Sequence, residues 1–389
     1  MKRWPVKPLS EVLEVSRERI EPIEHPDILY NYIGLESIEG HTGQLLPHQL
    51  TIGAEIKSTK NVFHRGEILY GKLRPYLNKI YLADKDGICS TDIFVLRPKQ
   101  SAMNASFAAN YLRSPAVLSA ASNAMAGANL PRIGQKALLG IPIPVPPVVE
   151  QERIVKLLDE ADELRKLRAK ADRRTAALIP ALFHQMFGDP ASNPKDWPLV
   201  TLGEIGGGGQ YGLNAAAMTE GHGVRFIRIT DIDEYGRLGR CEPAFVPVDK
   251  SNLSDYELSD GDILIARSGA TAGKAYIHIG IRERCVFAGY LIRFKINQIL
   301  SLPVFVFAFL QTAAYWSQLN RLKRAVAQPN VNAKQMASLG FPLPPLPLQK
   351  EFAQRVTEIR GIEAEQAASR SRLDALFQSM LYRAFNGDL

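Results

Sequence analysis

A chain of 389 residues, 46% hydrophobic and 22% charged, is too long for one small domain and too apolar for global disorder. Its net charge of +7 is compatible with a nucleic-acid partner. Its three cysteines (Cys89, Cys241, Cys285) form no CxxC pair, which argues against a disulfide framework or a cysteine zinc site and fits a reducing cytoplasm.

No apolar run follows Met1-Lys2-Arg3, so no signal peptide is expected. Residues 1–149 read as a first β-rich unit. Short apolar or alternating runs at 28–33, 67–70 and 93–96, separated by Gly, Asp and Pro, predict strands joined by turns. Residues 105–125 then turn helical, and the prolines between Ile141 and Pro147 stop that helix and lead onward in extended form.

Residues 150–188 carry the longest helical pattern. Leu157, Leu164, Ala171 and Leu178 recur every seven residues, flanked by Ile154, Leu158, Ala161 and Leu182, which predicts a coiled-coil-like stripe. Pro180 removes a backbone donor and predicts a break in the last third, and Gly188-Asp189-Pro190 is a stop.

Residues 195–348 repeat the first pattern, with strand-like runs at 263–266 and 290–294 and a helical stretch at 303–326. The greasiest part, residues 303–310, is far short of the roughly 20 residues a membrane span needs, so no membrane partner is expected. Residues 349–389 form a second long helix, with Phe352, Ile359, Leu373 and Met380 on a seven-residue grid that Gln366 interrupts. Two apolar stripes of similar length are buried most simply against each other, as an antiparallel pair.

The correspondence runs through the chain at a spacing of 193 to 201 residues. Trp4-Pro5 reappears as Trp197-Pro198, and Tyr32-Ile33-Gly34-Leu35 as Phe226-Ile227-Arg228-Ile229. Gly66-Glu67-Ile68-Leu69 returns as Gly261-Asp262-Ile263-Leu264, and Leu139-Gly140-Ile141-Pro142 as Leu339-Gly340-Phe341-Pro342. Gln151 and Gln349 then open the two charged helices. So long a period means two copies of a whole domain with a connector. The β-rich copies carry +4 and +3, and the helical stretches are neutral.

Enzymatic motifs fail on spacing. Asp159-Glu160-Ala161-Asp162 imitates a helicase motif but sits on a heptad helix, and it needs a phosphate loop of the form GxxxxGK[ST]. Ser268-Gly269-Ala270-Thr271-Ala272-Gly273-Lys274-Ala275 has its glycines one residue too close and no hydroxyl for magnesium. Gly207, Gly209 and Gly212 match the dinucleotide fingerprint, yet no clear buried strand precedes them. No HExxH, triad or adenine-methyltransferase (N/D)PP(Y/F) sequence is present.

What remains is basic and aromatic residues in turns. Gly71-Lys72-Leu73-Arg74-Pro75-Tyr76-Leu77-Asn78-Lys79 follows a strand directly. Lys72, Arg74 and Lys79 suit phosphates, and Arg74 and Asn78 have forked donors for base edges. The second copy offers Arg267, Ser268 and Lys274 in the equivalent place, and Arg321, Lys323 and Arg324 before Gln328 and Asn330. Asn129 and Arg132 occupy the region matching Asn330.

These residues bring a family into view. Two β-rich units each end in a proline run followed by Gln and a long heptad helix. Ile141 to Pro147 precedes Gln151-Glu152-Arg153-Ile154, and Phe341 to Pro347 precedes Gln349-Lys350-Glu351-Phe352. With the Trp-Pro starts and Gln328-Pro329-Asn330-Val331, the chain resembles the DNA specificity subunit of type I restriction-modification systems over essentially its whole length. The resemblance implies an α+β fold of two similar target-recognition domains, separated by two long helices in an antiparallel coiled coil with pseudo-two-fold symmetry. It implies no catalysis by this chain. The expected partners are double-stranded DNA read as a bipartite, asymmetric site, two methyltransferase subunits docked on the helices, and restriction/translocase subunits. S-adenosylmethionine, ATP and Mg belong to those partners. By position, direct readout is carried onto Lys72, Arg74, Lys79, Arg267 and Lys274, with Tyr76, Asn78, Ser268, Arg321, Lys323 and Arg324 beside them. The helix contacts expected are Ile154, Leu157, Leu164, Leu178, Phe352, Ile359, Leu373 and Met380. The alternative is the recognition subunit of a type II system with a fused methyltransferase-nuclease partner.

Overall fold

The computed structural model describes residues 4–99, 103–127, 129–219, 223–233, 235–239, 242–248, 253–269, 271–324 and 330–389. Cys241, Ala270, Gln328, Pro329 and the side chain of Arg324 lie outside that description. The chain divides into two compact units, residues 1–169 with 368–389 and residues 170–367. No helix is long and apolar enough to cross a membrane among the described residues.

The sequence signatures at the start and end of each repeat are partners in space. In the first unit Val6–Pro8 pairs antiparallel with Pro142–Pro144, and in the second Leu199–Thr201 pairs with Gly340–Pro342. Each is an isolated two-stranded ribbon, where a proline's missing N–H leaves no ladder position empty.

The main sheets have the same strand order. The first runs Leu13–Val15, Ile93–Pro98, Ile68–Gly71, Ile80–Leu82, all antiparallel. The second runs Gln210–Tyr211, Leu291–Phe294, Ile263–Ala266, Ala275–Ile277, again all antiparallel. Each unit also pairs two strands in parallel, Tyr32–Ile33 with Gly87–Cys89 and Val224–Ile227 with Cys285–Phe287. Two helices follow in each, Ala105–Leu112 and Pro115–Asn123 in one, Pro303–Phe309 and Ala313–Arg324 in the other. The helical runs expected as single stretches are thus broken at Ser114 and Thr312, whose side chains accept from the amides of Val117 and Tyr315 and start a new helix.

The repeated motifs have physical reasons. Gly66 and Gly261 adopt φ of +87° and +90°, a turn that L-residues with a Cβ resist. The acid that follows folds back: Glu67 accepts from His64 N–H at 2.8 Å, and Asp262 from Ser259 N–H at 3.0 Å. Each then pairs with an arginine from the next strand, Arg97 or Arg293.

Gln151 and Gln349, both fully buried, are clamps. Gln151 accepts from Asn104 N–H and donates to Pro146 O, each at 2.8 Å. Gln349 accepts from Leu302 N–H at 2.8 Å and donates to Pro344 O at 2.7 Å. A glutamine reaches both a free helix N-terminal amide and a proline-run carbonyl, so it ties the long helix to its own domain.

The central helix, Val148–Ala176, ends where Pro180 demands it: the ring would strike the carbonyl of Ala176, four residues back. A second helix, Leu178–Phe187, takes Pro180 into its first turn, where no donor is needed, and closes at Gly188 with φ +83°. The C-terminal helix runs Leu346–Asn386.

Within each unit the two helices pair antiparallel. In the first, Ile154, Leu158 and Ala161 share a core with Phe377, Leu381 and Ala384. Arg165 bonds Asp374 at 2.9 Å and lies 4.5 Å from the Phe377 ring. In the second, Phe352 packs 5.9 Å from Phe183 and 5.2 Å from Phe187, and Gln366 donates to Thr175 at 2.9 Å.

The buried row of the central helix differs from the one expected. Leu164 and Leu178 are 52% and 45% exposed, and Leu157 is half-buried, whereas Ile154, Leu158 and Ala161 face inward. Leucine spacing selected the wrong register because the true row turns polar in its middle, at Arg165 and Thr175. On the C-terminal helix Phe352 is fully buried; Ile359 and Leu373 are half-buried, and Met380 packs against the first unit's core.

Candidate nucleic-acid interface

Lys72 and Arg267 occupy the same place in the two units. Each follows the last residue of a sheet strand and is held on both sides by backbone hydrogen bonds. Lys72 N–H donates to Asp92 O at 3.0 Å, and Lys72 O accepts from Ile133 N–H at 3.0 Å. Arg267 N–H donates to Tyr290 O at 2.9 Å, and Arg267 O accepts from Val331 N–H at 2.9 Å. The next residues form matching bridges, Leu73 with Arg132 and Ser268 with Asn330.

Both cations lie on a ring. Lys72 Nζ is 5.4 Å from the Phe94 centroid, and the Arg267 guanidinium 4.8 Å from that of Tyr211. Arg267 Nε also donates to Asn330 Oδ1 at 3.3 Å. Arg132, in the place of Asn330, is instead held by both oxygens of Asp92, at 3.1 and 3.4 Å. The two sites share a scaffold and differ in polar detail.

Arg74 stands exposed on a left-handed residue (φ +50°), its N–H bonded to Pro131 O at 2.8 Å. Its guanidinium has no partner among the described residues. Tyr76 is 44% exposed beside it.

Most of the other expected residues turn inward. Asn78 is buried and donates to Arg113 O at 3.0 Å. Lys79 donates to Leu35 O at 2.6 Å, and its counterpart Lys274 to Ile232 O at 3.1 Å. Both ammonium groups thereby steady a short 3-10 turn, Leu35–Ser37 in one unit and Ile229–Asp231 with its cap Ile232 in the other. Lys323 lies 5.3 Å from the Trp316 ring and donates to Ala272 O, and burial holds its pKa below the usual lysine range. Arg321 is exposed, its Nε 3.5 Å from Ser317 O on its own helix.

Two arginines escaped the sequence reading. Arg17 and Arg19 line a cleft of about 420 Å³ with Lys72, Asn61, Phe94 and Gln135. Their alternation after the strand Leu13–Val15 was a usable signal, since residues two apart share a face.

The tempting enzymatic motifs serve the fold. Gly207 and Gly209 make positive-φ turns between the helix Leu202–Gly206 and the strand Gln210–Tyr211, the reverse of the strand-to-helix order a dinucleotide site needs. Asp162 pairs with Arg165 at 3.3 Å and Lys166 at 3.2 Å along its helix. Among the described residues no group of three or more His, Cys, Asp and Glu could hold a metal.

A sequence profile of the family described as type I restriction modification DNA specificity domain matches residues 1–172 and 194–369. The EcoDI type I specificity subunit of Escherichia coli is 30% identical over 188 residues, 47% of this chain and 41% of its own length. This chain thus spans less than half of that relative. The EcoKI specificity subunit of Escherichia coli K12 is 26% identical over 334 residues, covering 77% of this chain and 69% of its own. Two solved structures share the fold. One, from work on complex assembly and conformational transition of the type I R-M system, has a TM-score of 0.59 at 23% identity, covering 99% of this chain and 98% of its own. The type I restriction-modification S subunit from M. genitalium has a TM-score of 0.56 at 15% identity, covering 98% and 96%.

Proposed function

The chain belongs to the type I restriction modification DNA specificity family, and we propose that it is the DNA sequence-specificity subunit of a type I restriction-modification complex. In this reading residues 1–149 and 195–348 are target-recognition domains, each reading one half of a split double-stranded site. The chain performs no catalysis. Methyltransferase and restriction/translocase subunits act on the DNA that it selects in the cytoplasm.

The observation that carries the reading is the paired placement of Lys72 on Phe94 and Arg267 on Tyr211, each locked by the same backbone bonds at the same strand end. Backbone anchoring orients a cation at low entropic cost, and a ring beneath it keeps the side chain extended. Lys72, Arg17 and Arg19 suit phosphate oxygens as charges, whereas Arg267 and Arg74 present forks that match guanine O6 and N7. The polar neighbours differ, Arg132 with Asp92 against Asn330, so the two halves of the site differ in sequence.

The test is a methylation map. DNA from cells carrying the partner methyltransferase gene is sequenced for modified adenines with and without this chain. A bipartite motif that appears only with the chain supports the proposal; an unchanged pattern overturns it.

A further inference from the structure

The second unit contains a cavity of about 210 Å³ that the DNA reading does not use. Ile179, Phe183, Phe307 and Val356 give it apolar walls, and Gln311, Arg237, Arg360 and Glu363 also line it. The internal duplication explains why there is room. Gln151 and Gln349 are 198 residues apart, and so are the caps Ser114 and Thr312. At that offset Arg113 corresponds to Gln311, Phe377 to Ile179, Asp162 to Arg360 and Arg165 to Glu363.

In the first unit this place is filled by the protein itself. Arg113 donates to Thr42 O at 2.8 Å and to the Asn110 side chain. Gly43, at φ +73°, gives it room: a Cβ there would stand 1.9 Å from the Arg113 guanidinium. Asp162 is the strongest favourable charge on Arg113, and Arg165 lies against Phe377.

The second unit shortens both fillers, to Gln311 and Ile179, and inverts the polarity. Arg360 stands where the first unit has Asp162, and Glu363 where it has Arg165. Glu363 is engaged by Arg237 at 2.7 Å. Arg360 makes no hydrogen bond or ion pair among the described residues. Burial and then the nearby Arg237 push its pKa down, outweighing the pull of Glu363, which Arg237 already engages. Where the first unit sets a cation opposite an acid, the second sets an unpaired arginine beside open space.

We propose that this cavity binds a small organic acid, its apolar body between Ile179 and Phe307 and its carboxylate on Arg360. An apolar cavity of about 150 Å³ admits benzene, so this one suits a single ring with a short acid arm. Guanidinium meets carboxylate through two parallel hydrogen bonds, which gives both strength and orientation. None of these residues belongs to the DNA face, so failure here leaves the proposed function standing, and the reverse holds.

Phenylacetate titrated calorimetrically into the full chain is the probe. Saturable one-to-one binding is expected, and phenylacetamide, alike in shape but neutral, should bind weaker by about tenfold or more. Arg360→Gln should weaken phenylacetate by a similar factor, and Gln311→Arg, which restores the filler of the first unit, should abolish binding. Thermal unfolding of each variant separates lost binding from lost fold, and the amide comparison needs no variant. Phenylacetate should still bind in the complex with the partner subunits. No saturable binding, equal binding of the amide, undiminished binding in both variants, or loss on assembly would overturn the proposal.

Discussion

Arg267 holds its guanidinium 4.8 Å from the Tyr211 ring and bonds Asn330, so its fork is aimed before any ligand arrives. Lysine at this position keeps the charge and loses the fork. Arg267→Lys should therefore retain most of the affinity for DNA of any sequence while losing about 1–3 kcal/mol of discrimination at one base pair. Competition binding with single-base variants of the mapped site measures this; equal weakening on all sequences would reassign Arg267 to phosphate contact. A second residue gives the second unit a pH dependence. His278 is buried, bonded to Tyr276 Oη at 3.0 Å, and burial pushes its pKa below the usual value, against the pull of Asp260, Asp262 and Glu283. The unfolded chain then takes up a proton that the folded chain refuses. Stability is full above the unfolded value of about 6.5 and declines as pH falls below it. His278→Gln does not titrate, so denaturant midpoints of the two proteins should diverge from pH 7 toward pH 5, with the native protein losing more.

At the scale of elements, the helix pairs rest on few apolar contacts, and which face is inward decides what a substitution does. Leu158 is buried and Leu164 is 52% exposed six residues later. Leu158→Ala should cost about 2–5 kcal/mol in denaturant unfolding, and Leu164→Ala about 0.5 kcal/mol or less. The opposite order would restore the leucine row as the seam. Both helices, the stop at Gly188 and the break near Pro180 were legible in the sequence, because proline and glycine act locally and a sustained seven-residue periodicity outweighs one exception. The seam was not legible. Arg165 satisfies its charge with Asp374 and lays its plane on Phe377, so a residue scored as polar is buried by its partner on the other helix. Gln366, read as an interruption, is matched by Thr175 in the same way. Such a polar pair in a helix seam favours one register over its neighbours at some expense of stability. Similarly, Lys79 and Lys274 looked like free cations because nothing local reveals the carbonyls of Leu35 and Ile232 to which they donate.

On the scale of the whole chain, duplication makes each unit a control for the other. The strand order, the parallel strand pair, the glutamine clamps and the anchored cation are held in common, so they belong to the scaffold. What differs between the copies is free to encode difference: Phe94 against Tyr211 under the cation, Arg132 against Asn330 beside it, exposed Arg74 against Gly269 one residue on. In the proposed function this divides the labour so that each unit reads its own half-site without reference to the other. Arg74→Ala and Arg267→Ala should then alter opposite halves of the methylated motif. Their energetic effects should add in the double variant to within about 0.5 kcal/mol, as for sites that share no partner. Lys72→Ala should instead flatten the salt dependence of DNA binding by close to one released counterion, since it removes a charge without a fork. A double variant that loses much more than the sum would mean that one half-site must be engaged before the other can be read. The scaffold would then be transmitting information between its copies as well as repeating itself.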